Sequence, residues 1–158
     1  MGGLVFLSSF LIVILFFAPK TPGLFLALFV TFSSALLGLM DDYQKVVHRR
    51  SLGIRARDKL LAQLIFSLLF YFGLLYLGHS TLVKIPFTSL RVDFGLFYPL
   101  LILVVIVGFS NAVNLTDGID GLAGGTAILT LLALLFLASL QGMPDLVYFC
   151  SALIGACF

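Results

Sequence analysis

GLFLALFVTFSSALLGLM, residues 23–40, carries no charge and is mostly apolar, and Asp41 and Asp42 follow it directly. At about 1.5 Å per helical residue, a run of this length spans most of the roughly 30 Å hydrocarbon core of a bilayer. The stretch therefore predicts a transmembrane helix that reaches the membrane surface at the aspartate pair.

Apolar runs with few or no charges recur along the whole chain. The sequence is 61% hydrophobic and 10% charged, whereas ordinary soluble domains contain roughly 25% charged residues. The runs lack the amphipathic period of helices that cover a soluble core. We therefore predict an all-α fold, a polytopic transmembrane helix bundle that forms a single domain over residues 1–158. Six spans are expected, at residues 4–18, 23–40, 60–77, 95–110, 122–140 and 146–158.

Three connections between these spans have a recognisable composition. Residues 19–23, PKTPG, and 141–145, QGMPD, are turns by their prolines and glycines, and their shortness predicts that the flanking helices are antiparallel neighbours. Residues 82–94, LVKIPFTSLRVDF, alternate approximately between apolar and polar side chains. Two interpretations of this third segment stay open, a short extracytoplasmic β-hairpin and an irregular loop.

The basic residues are concentrated in one connection. Six of the nine lysines and arginines lie between the second and third spans: Lys45, Arg49, Arg50, Arg55, Arg57 and Lys59. The positive-inside rule makes this connection cytoplasmic. Two crossings later the chain returns to the same side at residues 111–125, NAVNLTDGIDGLAGG. We therefore predict that the two polar segments form one site at the cytoplasmic face.

Asp41 and Asp42 end the second span, where the helix macrodipole already places partial negative charge. Two carboxylates at that position cost about 0.3 to 1 kcal/mol each. The pair could simply mark the water boundary, but a bound cation that offsets the repulsion explains it better. Mg²⁺ suits oxygen ligands and is commonly held by one or two carboxylates together with substrate phosphates. The pair therefore favours a magnesium site.

The basic connection adds groups that bind anions. If the helix continues beyond Asp42, then Asp41, Lys45 and Arg49 follow at four-residue steps and share one face. Groups that bind a cation and groups that bind phosphate would then lie side by side. Some of these basic residues also set topology and contact anionic lipid headgroups, which does not exclude phosphate binding.

The second polar segment combines short oxygen-bearing side chains with glycines. Its polar residues are Asn111, Asn114, Thr116, Asp117 and Asp120. Thr116 or Asp117 could cap the helix that begins near Leu122. Capping requires only one such residue, so the whole set favours a ligand site, where interleaved glycines let the backbone approach the ligand closely.

Residues 38–63, GLMDDYQKVVHRRSLGIRARDKLLAQ, and residues 111–125 resemble two signatures of the polyprenyl-phosphate N-acetylhexosamine-1-phosphate transferases. The resemblance is closest to the branch of peptidoglycan synthesis, multi-pass enzymes of about ten spans in the bacterial inner membrane. It implies transfer of phospho-N-acetylmuramoyl-pentapeptide from its UDP carrier to undecaprenyl phosphate, with release of UMP and with Mg²⁺ as cofactor. Such phosphoryl transfer relies mainly on positioning and charge neutralisation.

The resemblance also implies a role for each matching residue. Asp41 would deprotonate or orient the lipid phosphate, and Asp42 would assist at the metal or at that phosphate. Lys45 and Lys59 would neutralise phosphate charge. The nucleotide and sugar-phosphate side would be held by Asn111, Asn114, Asp117 and Asp120. The metal ligands stay open, with Asp41, Asp42 and Asp117 as candidates.

Other family segments are absent from this sequence: a lysine-bearing segment before Met1, and a later metal-binding aspartate and histidine-rich loop. The chain therefore reads as a central piece, incomplete at both ends relative to the family. Two other functions stay open, a sister transferase that uses UDP-N-acetylglucosamine, and a transporter or ion pathway, which would hold its polar groups near mid-bilayer. The expected partners are the UDP-sugar, undecaprenyl phosphate and membrane lipid, without nucleic acid, and a homodimer stays open.

Overall fold

A computed structural model describes residues 3–47, 53–85, 88, 90–116, 118 and 121–157. A 3₁₀ turn, Gly95–Phe97, leads into the fourth helix. The α-helices of this part of the chain are α1 Gly3–Phe17, α2 Pro22–Val47, α3 Ala56–Tyr76, α4 Tyr98–Thr116, α5 Leu122–Leu140 and α6 Pro144–Cys157. The prediction of an all-α bundle is therefore confirmed.

Four of these helices are long and apolar enough to cross a membrane: α2, α3, α5, and α4 with its preceding 3₁₀ turn. The helices α1 and α6 are also apolar, but they contain 15 and 14 residues, fewer than the roughly 20 that a span usually needs. Large apolar side chains are exposed along all six helices. This exposure matches a protein whose outer surface faces lipid rather than water.

The helices pack in a nearly closed ring. The helix α6 lies against α5, α1 and α2; α3 packs between α2 and α4; and α4 touches α5 over only a short length. The turn at residues 141–145 therefore joins close neighbours, as predicted. The prediction for residues 19–23 is wrong, because α1 packs mainly along α6, a distant helix in sequence. A short turn limits the distance between two helix ends but does not fix the angle between the helices.

Two apolar interfaces fix the arrangement of the helices. Phe10 of α1 is fully buried, and its ring meets Phe149 of α6 edge to face at 5.3 Å between centroids. Such aromatic pairs add to the gain from burial. Between α2 and α3, a Cβ atom on Gly73 would collide with Leu26, so this glycine permits the close approach of the two helices.

The segment between α3 and α4 is a β-hairpin, so the irregular-loop interpretation is wrong. The strands β1, Leu82–Lys84, and β2, Arg91–Asp93, pair antiparallel with Val83 opposite Val92. The Thr81 hydroxyl donates to Asp93 Oδ1 at 2.5 Å, and the Gly95 N–H donates to the same oxygen at 3.0 Å. These bonds lower the pKa of Asp93 below its usual value of 3.8.

Helices extend beyond the predicted spans at one end of the bundle. The helix α2 continues to Val47 and α4 continues to Thr116. The segment at residues 111–125 was predicted as a polar loop, and its first part is instead the last turns of α4. Hydropathy locates the edge of the bilayer, whereas the helix continues where side chains support it. Here Asn111 and Thr116 donate to Val107 and Val113 carbonyls within α4.

Candidate active site

The two polar segments meet across one cavity. It has a volume of about 670 Å³ and lies among α2, α4 and α5, with the first turn of α3 at its rim. Lys59 of the basic segment and Asn114 of the second segment both line it. The two segments therefore lie at the same end of the bundle. Lys59 and Asn114, both predicted to bind substrate, line the same cavity.

Asp41 is buried in the last third of α2, and both of its carboxylate oxygens have partners. Its Oδ1 accepts the Ile54 N–H at 2.9 Å, and its Oδ2 pairs with Lys45 Nζ at 2.6 Å. Lys59 contributes a further favourable charge interaction. Charge-assisted bonds of this kind are roughly twice as strong as neutral ones. Asp41 thus connects the end of α2 to the turn that leads into α3.

Gly53 makes this connection sterically feasible. Its φ angle is +61°, and a Cβ atom there would lie 2.9 Å from Asp41 Cγ and 2.9 Å from Lys45 Cε. Glycine adopts positive φ without the steric cost that other residues incur. The sequence alone gives no sign that this glycine contacts the carboxylate.

Asp42 differs from Asp41 because consecutive helical residues face different directions. Its side chain is exposed, whereas Asp41 is buried. Lys45 follows Asp41 by one turn and keeps 42% of its side chain exposed while it pairs with that carboxylate. Because α2 continues to Val47, Asp41 lies more than one turn before the helix end, where the macrodipole has little effect. The predicted repulsion at the helix end is therefore not present and does not by itself require a metal ion.

A buried polar cluster joins α3 to α4 one turn deeper in the bundle. Gln63 Nε2 donates to Ser110 Oγ at 3.1 Å, and Asn111 Nδ2 donates to Gln63 Oε1 at 3.3 Å. Gln63 is only 3% exposed. The sequence analysis missed this residue, although a glutamine inside an apolar run of a membrane helix is itself a signal of an interhelical hydrogen bond.

The predicted residues Asp117 and Asp120 lie outside the described residues, as does Arg49. The interpretation of Thr116 as a helix cap is wrong. Gly121 occupies the N-cap position of α5, at φ +79° and without a side-chain cap bond. A glycine in the left-handed region turns the chain sharply there, so no hydroxyl is needed to begin the helix.

Mg²⁺ was predicted at this end of the bundle, and the donor chemistry is suitable. Asp42 offers an exposed carboxylate beside buried Asp41, and a Mg²⁺ ion bridged by phosphates needs only one or two carboxylates from the protein. Within the described residues, no three His, Cys, Asp or Glu side chains gather. The exposed Asp42 carboxylate therefore fits a Mg²⁺ ion that is shared with substrate phosphates.

Comparison with known proteins gives a consistent assignment. Residues 24–158 match the model of the family described as glycosyl transferase family 4. A phospho-N-acetylmuramoyl-pentapeptide-transferase from Geobacillus sp. (strain WCH70) is 44% identical over 160 residues, which cover 99% of this chain and 49% of the relative. The protein of the same name from Bacillus subtilis (strain 168) is 41% identical with the same coverage. The chain thus spans about half the length of the curated relatives it matches.

Proposed function

The chain belongs to glycosyl transferase family 4, and we propose that the protein containing it is a Mg²⁺-dependent transferase of bacterial membranes. It moves phospho-N-acetylmuramoyl-pentapeptide from UDP to undecaprenyl phosphate, with its polar loops on the cytoplasmic side. The names of the relatives support the transferred group, phospho-N-acetylmuramoyl-pentapeptide. The observation that carries the proposal is the cavity that Lys59 and Asn114 share.

The chemistry of the cavity suits a lipid phosphate. Its lining includes the apolar residues Val30, Val105 and Phe109 together with Lys59. A prenyl chain can pack against such walls without losing an apolar environment. The phosphate of the lipid can form charge-assisted hydrogen bonds with the ammonium group of Lys59.

The reaction joins two phosphates. An oxygen of the lipid phosphate attacks the phosphorus that bears the sugar and forms a new P–O bond. The bond between that phosphorus and the bridging oxygen of the diphosphate breaks, and UMP leaves with the electron pair of this bond. A phosphate monoester has its second pKa near 6 and is largely ionised at neutral pH, so the attacking oxygen needs no dedicated base. The resemblance assigned such a base to Asp41, whose two oxygens already accept bonds from Ile54 and Lys45. Asp41 therefore orients the basic residues that receive the lipid phosphate.

The remaining groups act by charge and orientation. Lys45 and Lys59 neutralise phosphate oxygens, which supplies much of the rate in phosphoryl transfer. Asp42 would hold Mg²⁺, with Asp41 and Asp117 as the other candidates, and the ion would supply positive charge near the diphosphate. The uridine and sugar-phosphate side is assigned to Asn111, Asn114, Asp117 and Asp120.

UMP release from membranes that contain the full-length protein tests this proposal. Undecaprenyl phosphate is supplied with either UDP-N-acetylmuramoyl-pentapeptide or UDP-N-acetylglucosamine, and membranes without the protein serve as control. UMP should appear with the muramoyl substrate, disappear after chelation of divalent ions and return with added Mg²⁺. Release from UDP-N-acetylglucosamine alone would instead identify the sister transferase, and release from neither would contradict both assignments.

A further inference from the structure

Gln63 is a buried polar residue for which the proposed reaction gives no direct use. Only 3% of it is exposed, and its carboxamide bonds to two residues of α4, Ser110 and Asn111. Hydrogen bonds of this kind add to van der Waals packing in holding two membrane helices together. Both ends of the Gln63 carboxamide are used, one as donor and one as acceptor.

The position of this link connects it to the candidate site. Gln63 lies one helical turn after Lys59 on α3, and Ser110 lies one turn before Asn114 on α4. Lys59, Ser110 and Asn114 all line the same cavity. The link between Gln63 and α4 therefore sets the position of α4 along α3. It thereby also sets the distance between Lys59 and Asn114 at the cavity.

The link also fixes the orientation of Asn111. Its Nδ2 donates to Gln63 Oε1 at 3.3 Å and to Val107 O at 2.9 Å, which uses both of its N–H groups. Among the described residues, its Oδ1 receives no hydrogen bond. The Asn111 carboxamide is thus held in one orientation by α3 and by its own helix, next to Ser110, which lines the cavity.

We propose that Gln63 is a positioning residue that holds Asn111 and the end of α4 in register with Lys59, so that the sugar-nucleotide and lipid-phosphate sides of the cavity keep a productive separation. The expected effect of Gln63 on the kinetics rests on the proposed function. Its structural part, the register of α3 and α4, does not depend on any activity.

The chain offers a matched control in Ser67. It is 2% exposed, and its hydroxyl donates to the Gln63 carbonyl within α3 at 2.7 Å. Ser67→Ala removes a buried hydrogen bond from the same helix without touching the link to α4. Gln63→Leu removes the link while it keeps similar side-chain volume, and Ser110→Ala removes only the acceptor of Gln63 Nε2.

Spin labels test the register directly in the full-length protein with its native cysteines replaced. Labels at Asp58 and Leu115 mark the start of α3 and the end of α4, where both side chains are exposed. Gln63→Leu should shift or broaden the distance between labels, Ser110→Ala should do so less, and Ser67→Ala should leave it unchanged. An unchanged distance in Gln63→Leu and Ser110→Ala would overturn the proposal, even if the protein proved to have another activity.

Kinetics then test whether Gln63 acts through Asn111. Gln63→Leu should raise the KM for the UDP-sugar and lower kcat/KM by about ten- to a hundredfold, the cost of a displaced binding group. Adding Gln63→Leu to Asn111→Ala should cause little further loss, because residues that act through one another are not additive. Additive losses, or equal losses in Ser67→Ala, would show a merely structural role and overturn the proposal. Absence of UMP release from the wild-type protein would defeat the proposed function while the spin-label result still decides the register.

Discussion

The two ends of the helix bundle both contain aspartates beside a cavity, yet they are built differently. At the hairpin end, a cavity of about 580 Å³ is lined by Thr21, His79 and Asp145 among apolar residues. The Thr21 hydroxyl donates to Asp145 and accepts the Leu24 N–H, so it closes a turn between helices. At the other end, Asp41 pairs with Lys45.

This difference shows that neither a cavity nor an aspartate identifies the active end. Hydroxyl groups and backbone N–H groups satisfy a carboxylate without adding a positive charge beside it. At the other end, the two lysines Lys45 and Lys59 provide positive charge that stabilises bound anionic phosphates. Equivalent substitutions at the two ends should therefore have different effects.

The largest effect is expected for Asp42→Asn. The substitution removes the exposed carboxylate proposed to hold Mg²⁺, and UMP release should fall about a hundredfold or more, as when a charge-stabilising group is lost. Asp41→Asn and Asp117→Asn should also cause losses of orders of magnitude, with membrane insertion retained. Asp145→Asn is the matched change at the hairpin end and should alter turnover less than twofold. Near-normal turnover in all three site variants would refute the assignment of this end.

Gly53→Ala should impair both activity and stability. The new methyl group would meet Asp41 and displace the Ile54 N–H from the carboxylate, so we expect an activity loss of about tenfold or more. Thermal unfolding should report a loss of about 1 to 3 kcal/mol.

Gly78→Ala separates the two causes of this effect. Gly78 has φ +70° with nothing within 4 Å of an added Cβ atom, so it carries the backbone cost alone, about 1 to 2 kcal/mol. Its UMP release should be unchanged. Equal activity losses in the two variants would argue against the contact between Gly53 and Asp41.

Lys59→Ala should weaken acceptor binding. Removing its ammonium group should raise the KM for undecaprenyl phosphate about tenfold, the equivalent of about 1.4 kcal/mol, with a smaller change in kcat. Lys84→Ala removes the same charge from the hairpin strand β1 and should leave both constants unchanged. A shared effect of the two substitutions would indicate a general influence of charge on the membrane surface rather than a binding group.

The smallest effect concerns Asp93 in the hairpin. Its pKa is lowered by the Thr81 hydroxyl and the Gly95 N–H, so its contribution to hairpin stability is present above pH 3.8 and is lost as the pH falls through the lowered folded value. A carboxyl ¹³C titration of the full-length protein should give a pKa below 3.8, and Thr81→Val should raise it. Turnover at neutral pH should not change in this variant, and an unshifted pKa would remove the role of the threonine.

The sequence predicted the helices because long uncharged runs have few alternatives in a membrane. It did not predict their ends or partners, as α1 against α6 and the extension of α4 through Asn111 both show. The candidate site divides in the same way. The spacing of Asp41 and Lys45 within one helix predicted that they share one face, and the structure shows that they pair with each other there. The bonds of Asp41 with Ile54 and of Gln63 with α4 depend on how separate elements meet, and no local pattern encodes them.

The short contact between α4 and α5 has a consequence for how an acceptor would arrive. The cavity lies among α2, α4 and α5, and the packing between the last two is sparse along most of their length. A long-chain phosphate could then enter sideways, with its tail still dissolved among neighbouring lipids. The enzyme and the acceptor would then meet by diffusion within the plane of the membrane. Turnover would depend on the mole fraction of the acceptor in the bilayer and not on its concentration in the whole suspension.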